Sequence, residues 1–324
     1  MSTTGGAEVW LLLCPGLGRD ATGHAGPVTS SLVDSFAAEL GNRAAVVHGR
    51  RLVLGVEDGR LAMTDTCGRP VAAPAVAYAR LSMTSLSADR GVTLLRHLAA
   101  MGTRLINPAE AVLAAANKFW QLQQLAAAGL PVPDTHTHTD APLEQVLDAG
   151  VPPPYVVKAV RGHRGQRVFL APDDTWLRGV AGSLDDRHPY LLQRYVSHSH
   201  GRDLRVVVVD RRAVATAVRT AGDDRLVSNL AQGGTHTVCT GRHPDAEALA
   251  VEAADAVGLG VAGVDLLFEA DGSFSVCEVN SNPTWRPDMP GVAEAVAAAC
   301  RRRLGASDRA PLKPVRPVPK PGVP

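Results

Sequence analysis

The chain has 324 residues, too many for one typical domain and enough for two. Hydrophobic residues make up 45%, ample for buried cores, and 33 Lys and Arg against 32 Asp and Glu leave a formal charge of +1, which argues against bulk attraction to nucleic acid or membrane. Aromatic residues are only 4%, which also argues against a base-stacking surface. The five cysteines (Cys14, Cys67, Cys239, Cys277, Cys300) are scattered, without a Cys-x-x-Cys pair, and read as reduced thiols. The apolar run 9–14 is too short for a signal-peptide core and no later run could span a bilayer, so a soluble cytoplasmic protein is expected.

In chain order, residues 9–14 read as a buried strand closed by the turn Pro15-Gly16-Leu17-Gly18, 31–40 as a helix and 71–81 as a central strand. A helix over 93–101 stops at Gly102 and a short strand follows at 104–106, which makes an α/β unit with parallel strands. Helices are expected over 108–115 and 118–128, the second ended by Gly129-Leu130-Pro131-Val132-Pro133. Strands follow at 155–160, 168–170, 190–196, 204–209 and 213–219, then a helix at 244–257, an acidic hairpin and a last helix at 291–304. Six prolines in the last twenty residues mark a disordered tail.

The hairpin is the most informative segment. Residues 263–268 and 273–280 read as strands, and Asp271-Gly272 between them is a strong turn signal. With a two-residue loop, Ala270 faces Ser273 and Asp265 faces Glu278, about 5 Å apart at Cβ, with nothing basic nearby to neutralise them. Asn280 shares that face, and two carboxylates with an amide oxygen are hard ligands suited to Mg²⁺ holding a nucleotide's phosphates.

Two further constellations accompany it. Lys158 ends a strand and leads into a loop with Gly162, Gly165 and three arginines, a composition that suits an anion. Asp203, Arg205 and Arg219 sit on or beside adjacent strands, with Leu204, Val206 and Val208 directed to one face and Arg205 and Val207 to the other. Gly18 to Gly23 lacks the Lys and Ser or Thr of a phosphate-binding Walker loop and reads as a turn. The pairs His136-x-His138 and His198-x-His200 lack ligand partners for zinc, and no Ser-His-acid triad stands out.

The order of these segments resembles the ATP-grasp superfamily and, within it, the RimK-like amino-acid ligases, from Tyr78-Ala79-Arg80-Leu81 to about Leu304. It is strongest at Leu105-Ile106-Asn107-Pro108, Asn117-Lys118, Gly129 to Pro133, Lys158 with its loop, Gly201 to Arg205, Ser228-Asn229-Leu230, Gly233-Gly234 and Glu278-Val279-Asn280. The resemblance implies an α/β architecture: an N-terminal pre-ATP-grasp domain over 1–116, an ATP-grasp domain over 117–304 whose two α+β subdomains (117–196 and 197–304) grip ATP, and a Pro-rich tail over 305–324. It implies ATP and Mg²⁺ or Mn²⁺ as cofactors, with Lys118 and Lys158 on the phosphates and the loop from Gly162 to Gly165 closing over them. Gln193-Arg194-Tyr195-Val196 would read the adenine edge through backbone, Asp203 would lie near the ribose, and Ser228 and Asn229 near the nucleotide. Arg219 would neutralise the transferred phosphoryl group, and Asp265, Glu278 and Asn280 would hold the metal. Arg194 stands where RimK-like ligases usually carry Glu.

The implied reaction is ligation of a carboxylate to an amine through an acyl phosphate, adding a glutamate-like amino acid to a small molecule or peptide, without a protein nucleophile. The Pro-x-Trp after Asn280 is similar to glutamate ligases of this group that act on small acceptors, and Trp285 and Arg286, with Arg205, are expected to border the acceptor. The alternatives are ligation to a carrier protein or natural-product peptide, and an ATP-binding sensor or scaffold without turnover. The sequence leaves the substrates and the oligomeric state open.

Overall fold

The computed structural model describes residues 6–14, 26–82, 86, 89–147, 152–162, 168–182, 184, 189–222, 226 and 234–305. The described residues form three sheets and a separate hairpin. The expected turn at 15–18, the non-Walker segment 18–23 and residues 306–324 of the tail lie outside them.

The first sheet holds β1 (Val9–Leu13), β2 (Ala44–His48), β5 (Val76–Arg80) and β6 (Arg104–Leu105) in the order β2-β1-β5-β6, all parallel as expected. All five residues of β1 are buried, as a parallel strand covered on both faces requires. Trp10 and Leu12 share a core with Leu94, Leu95 and Leu98 of helix α2 (Arg90–Ala100). Val9, Leu11 and Leu13 join Leu32 and Phe36 of α1 (Pro27–Leu40) and Val292 and Val296 of the last helix, α8 (Val292–Gly305). The chain pairs β2 on one side of β1 and then β5 on the other, so the order reverses between β1 and β5, where Leu13 faces Arg80.

The hairpin of β3 (Leu52–Glu57) and β4 (Arg60–Asp65) was not expected, although its turn Asp58-Gly59 is the same dipeptide signal used for the acidic hairpin. Both turn residues have positive φ (47° and 73°), as a mirror-image two-residue turn demands.

The second sheet is antiparallel, β7-β10-β8-β9, built from β7 (Thr135–Thr137), β8 (Tyr155–Ala159), β9 (Val168–Ala171) and β10 (Tyr190–Arg194). It has its own core, in which Tyr155, Val157 and Leu192 meet Leu143 of α5 (Leu143–Leu147) and Leu177 of α6 (Asp174–Ala181). The third sheet, also antiparallel, runs β13-β12-β11-β14-β15 through β11 (Arg202–Val209), β12 (Arg212–Thr220), β13 (Thr235–Val238), β14 (Val261–Phe268) and β15 (Phe274–Asn280). Leu204, Val206 and Val208 pack with Ala246, Ala250 and Ala253 of α7 (Pro244–Val257), while Val207 and Val209 turn to the side of α8, matching the expected alternation. The charged residues occupy the remainder of that second face.

The first and third sheets are tied at one buried side chain. Asn107 donates from Nδ2 to the carbonyls of Val261 (2.8 Å) and Ser281 (3.0 Å), and its Oδ1 accepts the Val261 N–H (2.8 Å). Asn107→Ala strands these backbone groups out of water, so stability should fall by about 3 kcal/mol in a urea titration, with the far-ultraviolet spectrum of the folded state unchanged.

Candidate active site

Two lysines from different elements are brought together by backbone contacts. Asn117 follows α3 (Ala109–Ala115) and caps α4 (Lys118–Ala127), its side chain accepting the N–H groups of Phe119 (3.0 Å) and Trp120 (3.1 Å). That cap fixes Lys118 in the first turn, where its own N–H donates to Val160 just past the end of β8 (3.0 Å). The Lys118 ammonium lies 3.3 Å from the Gly162 carbonyl and 3.4 Å from the Glu278 carboxylate. Lys158, on β8, donates to Gln193 Oε1 (2.7 Å) and contacts Cys277 Sγ (3.3 Å).

The third sheet supplies the rest through cross-strand pairing. Asp203 on β11 faces Arg219 on β12, and Arg205 on β11 faces Asp265 on β14. Arg219 grips Asp203 with two donors, Nε at 2.7 Å, and its Nη2 also reaches Asp265 Oδ1 at 3.0 Å. Arg205 grips Asp265 with Nε and with Nη2 (2.8 Å). Burial works to raise the Asp265 pKa, but Arg205 and Arg219 outweigh it and hold its carboxyl below the ordinary carboxylate value. For Asp203 burial prevails: with Arg219 alone gripping it and the Asp265 charge close by, its pKa lies above the ordinary value. Asp203, Asp265 and Glu278 stand against Lys118, Lys158, Arg205 and Arg219, so the described cluster holds one cation in excess. Such a surplus suits an anionic ligand.

The register of the acidic hairpin corrects the expected one in an instructive way. Gly272 N–H bonds back to the Glu269 carbonyl, Glu269 N–H bonds to the Ser273 carbonyl, and Gly272 has φ of 85°, so the loop holds three residues and not two. Phe268 therefore faces Phe274, and Leu266 faces Val276. A β-bulge between Asp265 and Leu266 then absorbs one residue, Cys277, and restores the pairing of Asp265 with Glu278. Val276 and Val279 both pack on the α7 side, which leaves Cys277 and Glu278 together on the site side, one at Lys158 and the other at Lys118. Burial pushes the Cys277 thiol pKa up against the opposing charge of Lys158. The expectation that nothing basic stands near the facing acids is wrong: Arg205, Arg219 and Lys118 all contact them, because adjacent strands and α4 bring in cations distant in sequence.

The remaining expected residues fall into four groups. Asn280 joins the acids, its Nδ2 at 3.4 Å from both Asp265 Oδ2 and the Gly263 carbonyl. Two carboxylates and a carboxamide form an oxygen donor set that fits a hard divalent cation. Gln193 is buried and orients Lys158, while Arg194 pairs with Glu269 (2.9 Å), which also accepts Ser275 Oγ (2.6 Å), so the departure at this position carries its own counter-charge. The N–H groups of Arg194 and Tyr195 donate to the carbonyls of Asp134 (2.8 Å) and Pro154 (3.3 Å), and the Val196 carbonyl accepts the Ser199 N–H (3.0 Å). Gly165, Ser228 and Asn229 lie outside the described residues.

Trp285 is only 8% exposed and packs with Met289, Val292 and Val296, at the start of α8. The Arg286 side chain is 55% exposed and its nearest acid is Asp288, with Nε to Oδ1 at 4.0 Å. Two residues that matter were missed. Gln121, fully buried on α4, accepts the Val279 N–H and donates to the Ala115 carbonyl (3.2 Å), clamping β15 to the helix that carries Lys118. Gly263 faces Asn280 and Val207, and a Cβ there would lie 3.0 Å from Pro283 Cβ and 3.1 Å from Arg205 Nη1. Neither has a local sequence signal, since each is required by a neighbour far along the chain. Gly263→Ala should shift Arg205 away from Asp265 and lower the melting temperature by several degrees, equivalent to about 1–3 kcal/mol; thermal unfolding monitored by circular dichroism measures it.

Residues 115–289 match the model of the RimK-like ATP-grasp domain. Over 247 residues the chain is 40% identical to beta-citrylglutamate synthase B of Homo sapiens, covering 75% of this chain and 63% of that protein. It is also 40% identical over 214 residues to N-acetylaspartylglutamate synthase A of Mus musculus, covering 64% of this chain and 56% of that one. The match thus spans less than two thirds of these relatives' length. In fold it is similar to the ATP-grasp ligase PsnB, solved with a minimal precursor, Mg and ADP, at a TM-score of 0.65 and 21% identity over 92% of this chain and 98% of that one. The chain has the ATP-grasp fold and belongs to the RimK-like ATP-grasp family.

Proposed function

We propose that this protein is an ATP-dependent carboxylate–amine ligase, releasing ADP and phosphate, that joins the amino group of glutamate or a similar amino acid to a carboxylate of a small acid. The observation that carries this reading is the convergence of Lys118, Lys158, Arg219, Asp265, Glu278 and Asn280 beside one face of one sheet, with a cation in excess. The relatives named for β-citrylglutamate and N-acetylaspartylglutamate synthesis support the choice of glutamate and of a small acid.

ATP enters as a substrate. A carboxylate oxygen of the acid bonds to the γ-phosphorus as the bond to ADP breaks; the amine nitrogen then bonds to the acyl carbon as phosphate leaves, and the amine proton passes to solvent. Lys118 and Lys158 offer their ammonium groups to the phosphates, and the Gly162 carbonyl and Gln193 keep them in place. Arg219, held between Asp203 and Asp265, presents a fixed positive charge to the phosphoryl group in transfer. Asp265, Glu278 and Asn280 would hold a divalent cation, Mg²⁺ or Mn²⁺, which supplies charge neutralisation at the phosphates. Catalysis by positioning and electrostatics needs no protein nucleophile, consistent with the absence of a triad pattern.

The test is ADP release with Mg²⁺, ATP, glutamate and a panel of small acids. Turnover on small acids supports the reading; turnover on peptides alone would move it to a peptide ligase, and nucleotide binding without turnover on any acid would leave a scaffold. Arg219→Ala should lower kcat by about 10²–10³-fold while ATP binding by calorimetry is retained. The pair Asp265→Asn with Glu278→Gln should remove activity and the metal dependence of ATP binding; unchanged ADP release in either protein would overturn the assignment.

A further inference from the structure

One buried cation stands outside the charged network of the third sheet. Arg80 ends β5 and is 3% exposed, yet among the described residues no Asp or Glu pairs with it. Its Nη1 donates to the Pro283 carbonyl (3.0 Å), and the guanidinium lies 5.7 Å from the centroid of the Trp285 ring. Its Nε is buried without an acceptor. The segment that provides these contacts leaves β15 and crosses the carboxyl end of β5, where Asn282 Nδ2 donates to the Leu81 carbonyl (3.2 Å) and Asn282 Oδ1 is buried without a donor.

An unpaired buried guanidinium costs several kcal/mol, and orphaned polar atoms on neighbouring residues add to that. Native structures satisfy such groups, so a missing anion with a donor beside it is the economical explanation. Pro283 accepts from Nη1 only, and Nε, on the edge that takes a carboxylate side-on with two donors, is left without an acceptor beside the buried hydroxyl of Tyr78. Position agrees: Arg80 stands at the carboxyl end of a parallel strand, at the point where the strand order reverses between β1 and β5, and open α/β sheets bind ligands there. Pro283, which accepts from Arg80, also borders Gly263 and hence Arg205, so Arg80 adjoins the charged face of the third sheet.

We propose that Arg80 receives a second, non-reacting carboxylate of the acid substrate, with Asn282 Oδ1 accepting from a hydroxyl or amide N–H next to it, and that this contact selects di- and tricarboxylic acids over monocarboxylic ones. The proposal rests on the ligase reading above, and places the selecting cation on the N-terminal sheet and not at the exposed Arg286.

The test compares the full-length wild type with Arg80→Gln. With ATP, Mg²⁺ and glutamate, the wild type should prefer N-acetylaspartate to N-acetylalanine by about tenfold or more in kcat/KM, and Arg80→Gln should lose that preference to within about twofold through the KM of the acid, with the KM of ATP unchanged. Without nucleotide, citrate and N-acetylaspartate should raise the melting temperature of the wild type and not of Arg80→Gln, whose own melting temperature should equal or exceed that of the ligand-free wild type. A preference that survives in Arg80→Gln, or an equal thermal shift in both proteins, overturns the proposal. If no acid is turned over, the ligase reading fails by itself, and the thermal-shift comparison still decides Arg80: the absence of any shift in the wild type overturns it. If Arg80→Gln does not fold, Arg80→Lys serves, and full discrimination by a single ammonium in place of the two-donor fork would overturn the proposal.

Discussion

The Asp265 carboxylate is the group on which the site depends. It is almost fully buried, and a buried carboxylate persists only if cations and hydrogen bonds replace the water it has lost. Arg205 supplies a donor to each oxygen and Arg219 a third to Oδ1, and Asn280 Nδ2 stands 3.4 Å from Oδ2. Much of the nearby sequence follows from that need. Arg205 must lie flat beside β14, so position 263 has no side chain. Arg219 must be held from its other side, and Asp203, opposite it on β11, does so.

The bulge at Cys277 solves a different problem. A regular strand turns successive side chains to opposite faces, so Cys277 and Glu278 could not both reach the site. Inserting one residue places both there, one by each lysine, while Val276 and Val279 remain in the core. The lysines arrive from outside the sheet, Lys118 on a helix start fixed by the Asn117 cap and Lys158 on β8, and the bond between Lys118 N–H and Val160 keeps them together. Site geometry is therefore set by backbone pairings, with the charged side chains added onto them.

Local signals made most elements legible. The apolar run at β1, the Pro-initiated α7 and the alternation in β11 each carry their period in adjacent residues, and the structure places them within a few residues of expectation. The β3–β4 hairpin carried a usable turn signal at Asp58-Gly59 that its mixed, half-exposed strands obscured. The pairing of Asp265 with Glu278 was expected through a loop one residue too short, and the bulge cancelled that difference. Turn length and bulge both shift the register by one, and sequence reports neither reliably because each depends on how side chains settle on the two faces.

By itself the sequence determined most of the elements, the family and the chemical inventory of lysines, acids and arginines, because residue type and short-range spacing encode these. Tertiary structure alone decided which charge answers which. It gave Asp265 two arginines, set Asp203 to hold Arg219, paired Arg194 with Glu269, put Trp285 in the core and left Arg80 buried without a paired acid among the described residues. The physical reason is that Coulomb energy and desolvation depend on distance in space and on burial, and residues sixty or two hundred positions apart become neighbours only when the sheets form.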